Sequence, residues 1–241
     1  MSQVDQLELY LSSVPLVRIG ANSLPSSHAS GCLVDYGGKR LLLTVAHATG
    51  DNQRWALQIR FDQTLKQTQL VDLGTMNFLT SGTLGVSHLK RIDFSYVQVP
   101  LSTVAFRQEI ETPSNMIKTE RAIKVHTPTL EESPDSADLY GFCGMVLPAQ
   151  EEHFGTSYVS GEFRIYENLT FLHRMGDKLV FKLPFGHPGH DQFEGCSGAP
   201  ILNGAGVPIA LVVGGCKKTD EIYGLSLATY KVAIDIDVGL V

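Results

Sequence analysis

Long apolar runs are missing from this chain of 241 residues. No stretch approaches the roughly 20 apolar residues that a membrane-crossing helix needs, so a membrane is not expected as a partner. Basic clusters are scarce too: 19 Lys and Arg stand against 25 Asp and Glu, a net charge of −6. None is dense enough to track a phosphate backbone, which argues against nucleic acid. The opening residues, MSQVDQLELYLSSVPLVRIG, carry acids where an export signal carries bases, and they lack its apolar centre. A cytoplasmic location is therefore expected. The four cysteines, Cys32, Cys143, Cys196 and Cys216, form no C-x-x-C pair and no zinc-ligand spacing. Free thiols are expected, because a chain of this length can build a core without disulfide staples. Internal repeats and low-complexity tracts are absent as well.

What the chain does have is a succession of short apolar or alternating runs, broken by Gly, Pro, Asn and Asp. This pattern predicts an all-β protein. Strands are expected at 30–35, 40–45, 55–61, 94–99, 139–146, 162–166, 179–183, 199–202, 208–214 and 222–228. Weak helical periods occur only near residues 3–12 and at the C-terminal end. Asp35-Tyr36-Gly37-Gly38-Lys39 reads as a hairpin turn and Asn203-Gly204-Ala205-Gly206 as another. A polar stretch from about residue 100 to 138 reads as a connection between two β halves. The division is then 1–118 and 119–241, with the linker at about 101–137. Two closed or nearly closed barrels would leave few strand edges exposed.

Three short motifs carry chemistry. In Gly195-Cys196-Ser197-Gly198-Ala199-Pro200, a glycine two positions before the serine lets two amides, those of Gly195 and Ser197, face one hole. A hydroxyl needs such help, together with a base, to act as a nucleophile. In Leu43-Thr44-Val45-Ala46-His47-Ala48, an apolar strand ends on small residues and delivers an imidazole, whose pKa suits a general base. In Arg91-Ile92-Asp93-Phe94-Ser95-Tyr96-Val97, one acid heads an alternating strand. A buried carboxylate there needs a partner, and a His Nδ1–H is a suitable one. Alone, the motifs also read as a turn serine, a surface histidine and a loop aspartate. Together, in the order His, Asp, Ser, they are far more specific.

These residues resemble the chymotrypsin/trypsin family of serine proteases. T-V-A-H is similar to that family's T-A-A-H, D-F-S-Y-V-Q-V to its D-[IF]-A-L-[IL]-x-[LV], and G-C-S-G-A-P to its G-[DN]-S-G-G-P. The resemblance runs from about residue 31 to 228. It implies two six-stranded antiparallel β-barrels with the active site between them. The implied activity is serine endopeptidase, acting on a polypeptide substrate through an acyl-enzyme without cofactor or metal. Ser197 would then be the nucleophile, His47 the base and Asp93 its orienting acid, with the Gly195 and Ser197 amides as the oxyanion hole. Val213, Gly214 and Gly215 would lie along the substrate. Asp191, six residues before Ser197, would favour a basic residue on the acyl side of the cut.

The chain also departs from the family pattern. Cys196 stands where trypsins have an Asp that pairs with a newly cut N-terminus, and no activation site is evident near residues 17–20. This implies the simpler bacterial or intracellular branch, without a zymogen. Val213 takes the place of the family's Ser behind the triad Asp, removing one hydrogen bond. Such departures keep a second expectation open: a catalytically weak or inactive domain serving as a binding or regulatory module. A regulatory protein partner is left open too. Cys196 as nucleophile would put Ser197-Gly198 out of register. His187-Pro188-Gly189-His190 suggests metal, but its Pro-Gly centre prevents a helical face, so a loop at the specificity pocket is expected, one that could instead favour an acidic substrate residue. His88 precedes Asp93 without small neighbours and is expected at the surface. His28, His126, His153 and His173 carry no signal.

Overall fold

Three consecutive leucines, Leu41 to Leu43, are all fully buried, which a strand achieves only when both of its faces are covered. The computed structural model describes residues 4–50, 53–62, 64–65, 67–82, 90–110, 118–153, 156–190 and 192–241, and shows how that happens. Its first half contains α1 (Gln6–Ser12), β1 (Val14–Ile19), β2 (Pro25–Tyr36), β3 (Lys39–Thr44), α2 (Ala46–Thr49), β4 (Arg54–Asp62), β5 (Gln67–Asp72), β6 (Asn77–Ser81) and β7 (Lys90–Val99). A hairpin follows, β8 (Phe106–Ile110) and β9 (Lys118–Ala122). The second half contains β10 (Leu139–His153), β11 (Thr156–Met175), β12 (Lys178–Lys182), β13 (Pro200–Leu202), β14 (Pro208–Cys216), β15 (Glu221–Ser226) and α3 (Leu227–Val238).

Strands β10-β11-β12-β15-β14-β13 form a closed barrel, with Gly141 of β10 pairing Leu202 of β13 to complete the ring. Among the described residues, the first half is one seven-stranded antiparallel sheet, ordered β5-β4-β1-β2-β3-β7-β6. Strand β2 holds it together: Pro25 to Gly31 pair with β1, and Cys32 to Tyr36 pair with β3. The leucines of β3 divide between two cores by the two-residue period of a strand. Leu42 joins Val14, Leu16, Leu33 and Trp55 inside the first half. Leu41 and Leu43 face outward, where α3 and the second barrel cover them with Leu211, Leu225, Tyr230 and Ile234.

Both covering helices cross over. Helix α1 begins at Asp5, whose carboxylate accepts the Leu7 amide, a favourable N-terminal cap. It then sets Leu9 against Cys143 and Leu202 of the second barrel. Helix α3 lies on the first sheet, with Tyr230 stacked on Phe94 at 5.3 Å. The expected boundary at residue 118 is thus spanned from both sides.

The polar stretch expected to connect the two halves contains the β8–β9 hairpin. Its Arg107 is fully buried, with its guanidinium between Tyr10 and Phe163 at 4.2 and 3.8 Å and one N–H donated to the Ser13 carbonyl. Aromatic faces and a carbonyl replace the water that such a charge loses. The expected strand at 222–228 ends earlier, at Ser226, where α3 starts.

Candidate active site

Strand β3 delivers Thr44 to the end of the sheet, and α2 then makes a single turn that carries His47. The small residues Ala46 and Ala48 flank the imidazole, as expected from the sequence. The Trp55 indole N–H donates to the Thr49 carbonyl at 2.6 Å, and the Thr49 and Ser95 hydroxyls meet at 3.0 Å, so the turn is tied to both neighbouring strands. Ser95 pairs with Thr44 in the ladder, which puts Asp93 beside the same turn. One Asp93 oxygen accepts the His47 backbone N–H at 2.8 Å, and the other lies 2.8 Å from His47 Nδ1. A carboxylate only accepts hydrogen bonds. Nδ1 therefore carries the proton, and Nε2 is free to accept from the Ser197 hydroxyl at 2.9 Å.

Ser197 sits in a turn shaped by two glycines. Gly195 has φ +94° and Gly198 φ +89°, values that residues with a Cβ rarely adopt. Space forbids a Cβ as well: at Gly198 it would lie 2.1 Å from the Ser30 carbonyl oxygen, and at Gly195 2.6 Å from that of Met145. The second barrel holds the turn through the Gly198 amide, which donates to the Val212 carbonyl at 2.8 Å. The first half holds it through Ser30 of β2. The Ser30 hydroxyl donates to the Gly195 carbonyl at 2.7 Å, its amide to the Ser197 carbonyl at 3.0 Å, and its own carbonyl accepts from Thr44 Oγ1 at 2.7 Å.

Burial pushes the Asp93 carboxyl up, but the His47 ring and backbone N–H outweigh it and hold the group below its ordinary range, with Lys178 adding to the effect. Asp93 thus stays an anion beside the imidazole. Cys196 behaves in the opposite way. It is fully buried, its sulfur packs against Gly144, and burial pushes its thiol well up. A neutral, inaccessible thiol is not a nucleophile. Cys32, Cys143 and Cys216 are free thiols as well.

A cavity of about 140 Å³ opens beside Ser197 and His47. Val212 to Gly215 form one wall, and His187, His190, Phe193 and Lys217 complete it. Val213, Gly214 and Gly215 thus line the cavity beside Ser197, and the histidine loop flanks the same space. On the other side of His47 a hollow of about 300 Å³ is bounded by Gly50, Arg91, Ile92 and Asp93. Asp191 and His88 lie outside the described residues. Among those described, no group of three or more His, Cys, Asp or Glu side chains could hold a metal. Sequence reasoning missed Ser30, whose only signal is that it lies on the strand before the T-V-A-H strand.

Comparison with solved structures now decides the architecture. Human heparin binding protein superposes with a TM-score of 0.58 at 12% identity, over 97% of this chain and 94% of that one. The chain has the trypsin-like double-barrel fold. Neuropsin, a serine protease expressed in the limbic system of mouse brain, matches with a TM-score of 0.57 at 12% identity over 98% of each chain. A serine endoprotease from Yersinia pestis matches at 0.53 and 11% identity, over 97% of this chain and 65% of that one. No family model matches the sequence, and no curated protein does. Neighbours of this trypsin-like fold include both proteases and a protein named for binding heparin. At such low identity the fold alone is shared.

Proposed function

We propose that the chain is a serine endopeptidase with Ser197 as nucleophile, His47 as general base and Asp93 as the acid that orients it. One observation carries this reading: the unbroken relay from Asp93 through Nδ1 and Nε2 of His47 to Ser197 Oγ, with steps of 2.8 and 2.9 Å. In the acylation step, His47 Nε2 takes the Ser197 proton as Oγ attacks the substrate carbonyl. The resulting imidazolium is stabilised by Asp93 and then protonates the leaving amine. Water enters by the same route in reverse and releases the acid product. The Gly195 and Ser197 amides are assigned to the oxyanion, a role in which one donor is worth about 3–4 kcal/mol of transition-state stabilisation. Val213 to Gly215 are assigned to the substrate backbone beside the cavity.

The test is covalent labelling by a fluorophosphonate probe. The wild-type protein should label at a single serine, and Ser197→Ala should abolish both labelling and peptide hydrolysis, a loss of about 10⁶-fold in turnover. A folded wild-type protein that takes up no probe would refute the protease reading and leave a catalytically silent binding module in its place.

A further inference from the structure

His187 is a histidine that the relay does not use, and it lines the cavity next to Ser197. Only 8% exposed, its ring packs against Phe193 at 4.6 Å. Its Nδ1 accepts the Gly189 amide at 3.1 Å. That bond puts the ring proton of the neutral form on Nε2. Nε2 lies at the Gly215 wall of the cavity, where a Cβ on Gly215 would come within 2.9 Å of it. A ring N–H held this firmly at a cavity wall is a donor that a ligand's acceptor can use.

Among the described residues that line the cavity, the one with a fixed charge is Lys217. Lys217 and His190 line the same cavity. Asp220, the nearby acid, is already engaged: one oxygen accepts the His187 backbone N–H at 2.8 Å, and the other lies 3.4 Å from Lys182 Nζ. Burial holds the His187 imidazole below its ordinary pKa, with Lys217 and His190 adding to this against the pull of Asp220. His187 thus serves as a neutral donor, and the positive charge in the cavity comes from Lys217.

We infer that this cavity selects substrates with an acidic side chain on the acyl side of the cut, the carboxylate accepting from His187 Nε2–H and facing Lys217. The inference rests on the protease reading above and assigns the substrate class of that same site. The aliphatic part of the side chain would lie between Phe193 and Val212, and the missing side chains of Gly214 and Gly215 leave its entrance open. Glutamine can use the His187 donor but not the Lys217 charge. Phenylalanine can use neither and leaves the donor unpaired, the arrangement that rejects a substrate most strongly.

The test uses peptide amides that differ only in the residue before the cut: Glu, Gln, Phe or Arg. Wild-type protein, His187→Ala and Lys217→Met are compared after active sites are counted with the fluorophosphonate probe. Wild-type kcat/KM should favour Glu over the other three by about tenfold or more. Lys217→Met should narrow the Glu-to-Gln ratio, and His187→Ala should lower Glu and Gln together relative to Phe. Probe labelling of both variants shows that they are folded. A protein that labels at Ser197 but prefers Arg or Phe overturns this inference alone, as do variants whose ratios match wild type. Absence of labelling overturns the inference and the protease reading together.

Discussion

The two sides of the cleft hold their reactive groups in different ways. On the second barrel, Ser197 stands in a turn that backbone groups fix from several directions: Val212 below it, Ser30 across the cleft and Met145 behind Gly195. On the first half, His47 rides on a single helical turn, 46% exposed, and depends on one carboxylate that is itself 33% exposed. The nucleophile is fixed by backbone contacts on several sides, whereas the ring of the base is oriented by one carboxylate. Rigidity on one side and polar attachment on the other predict different failures when each is disturbed.

The base side should fail in chemistry first. Asp93→Asn offers one acceptor where two are needed, for the His47 amide and for Nδ1, and its amide N–H₂ opposes the proton on Nδ1. Turnover should fall about 10⁴-fold, with the thermal midpoint nearly unchanged. Equal losses of stability and rate would show that Asp93 is structural, which would erase the contrast.

The serine side should fail in stability first. Gly198→Ala drives a Cβ into the Ser30 carbonyl and the Thr44 hydroxyl at a backbone angle that alanine resists. A loss of about 3–5 kcal/mol in denaturant unfolding is expected, with activity lost as a consequence. A variant of wild-type stability would mean that the turn is softer than its contacts imply.

A third measurement concerns the seam between the halves. His126 is 3% exposed. Its amide donates to Leu33 of β2, and Nε2 is buried without a partner. Burial, helped by Lys124, pushes its pKa down to about 4 from 6.5. The unfolded chain therefore binds a proton more readily than the folded one. Stability should be full above pH 6.5 and should fall by about 3 kcal/mol as pH drops toward 4. Urea titrations across this range should show the slope in wild type and lose it in His126→Gln. An unchanged slope in that variant would assign the effect to other groups.

The smallest effect comes from Ser30, the residue that joins the two sides. Ser30→Ala removes only the hydroxyl bond to Gly195 and keeps both backbone bonds. Such a bond is worth about 1 kcal/mol, so kcat should fall by up to about tenfold while KM changes little. A rise in KM alone would instead place Ser30 in substrate binding.

How much of this was legible in the sequence follows from the same contrast. His47, Asp93 and Ser197 are recognisable because each sits in a local pattern, a strand end or a glycine turn, that its chemistry needs. The leucines of β3 and the alternation of β7 show the strands for a similar reason. Ser30 is hidden because its meaning lies in a contact 165 positions away. Arg107 is hidden too: a charged residue in a polar stretch reads as surface, and only the rings of Tyr10 and Phe163, remote in sequence, bury it. Strands β8 and β9, FRQEI and KTERA, lack the alternation that announces a strand, since what stabilises them is each other and the elements they brace. Helix α3 obscured its own start, because Leu227 continues the apolar run of β15.

The crossed helices bear on how the molecule is made. A ribosome releases α3 after β15, so the sheet bearing His47 and Asp93 keeps Phe94 and Leu41 uncovered throughout synthesis of the second barrel. Covering of that face is thereby delayed until translation has passed Tyr230, and a nascent chain halted before that point holds every reactive group beside an apolar face still open to water.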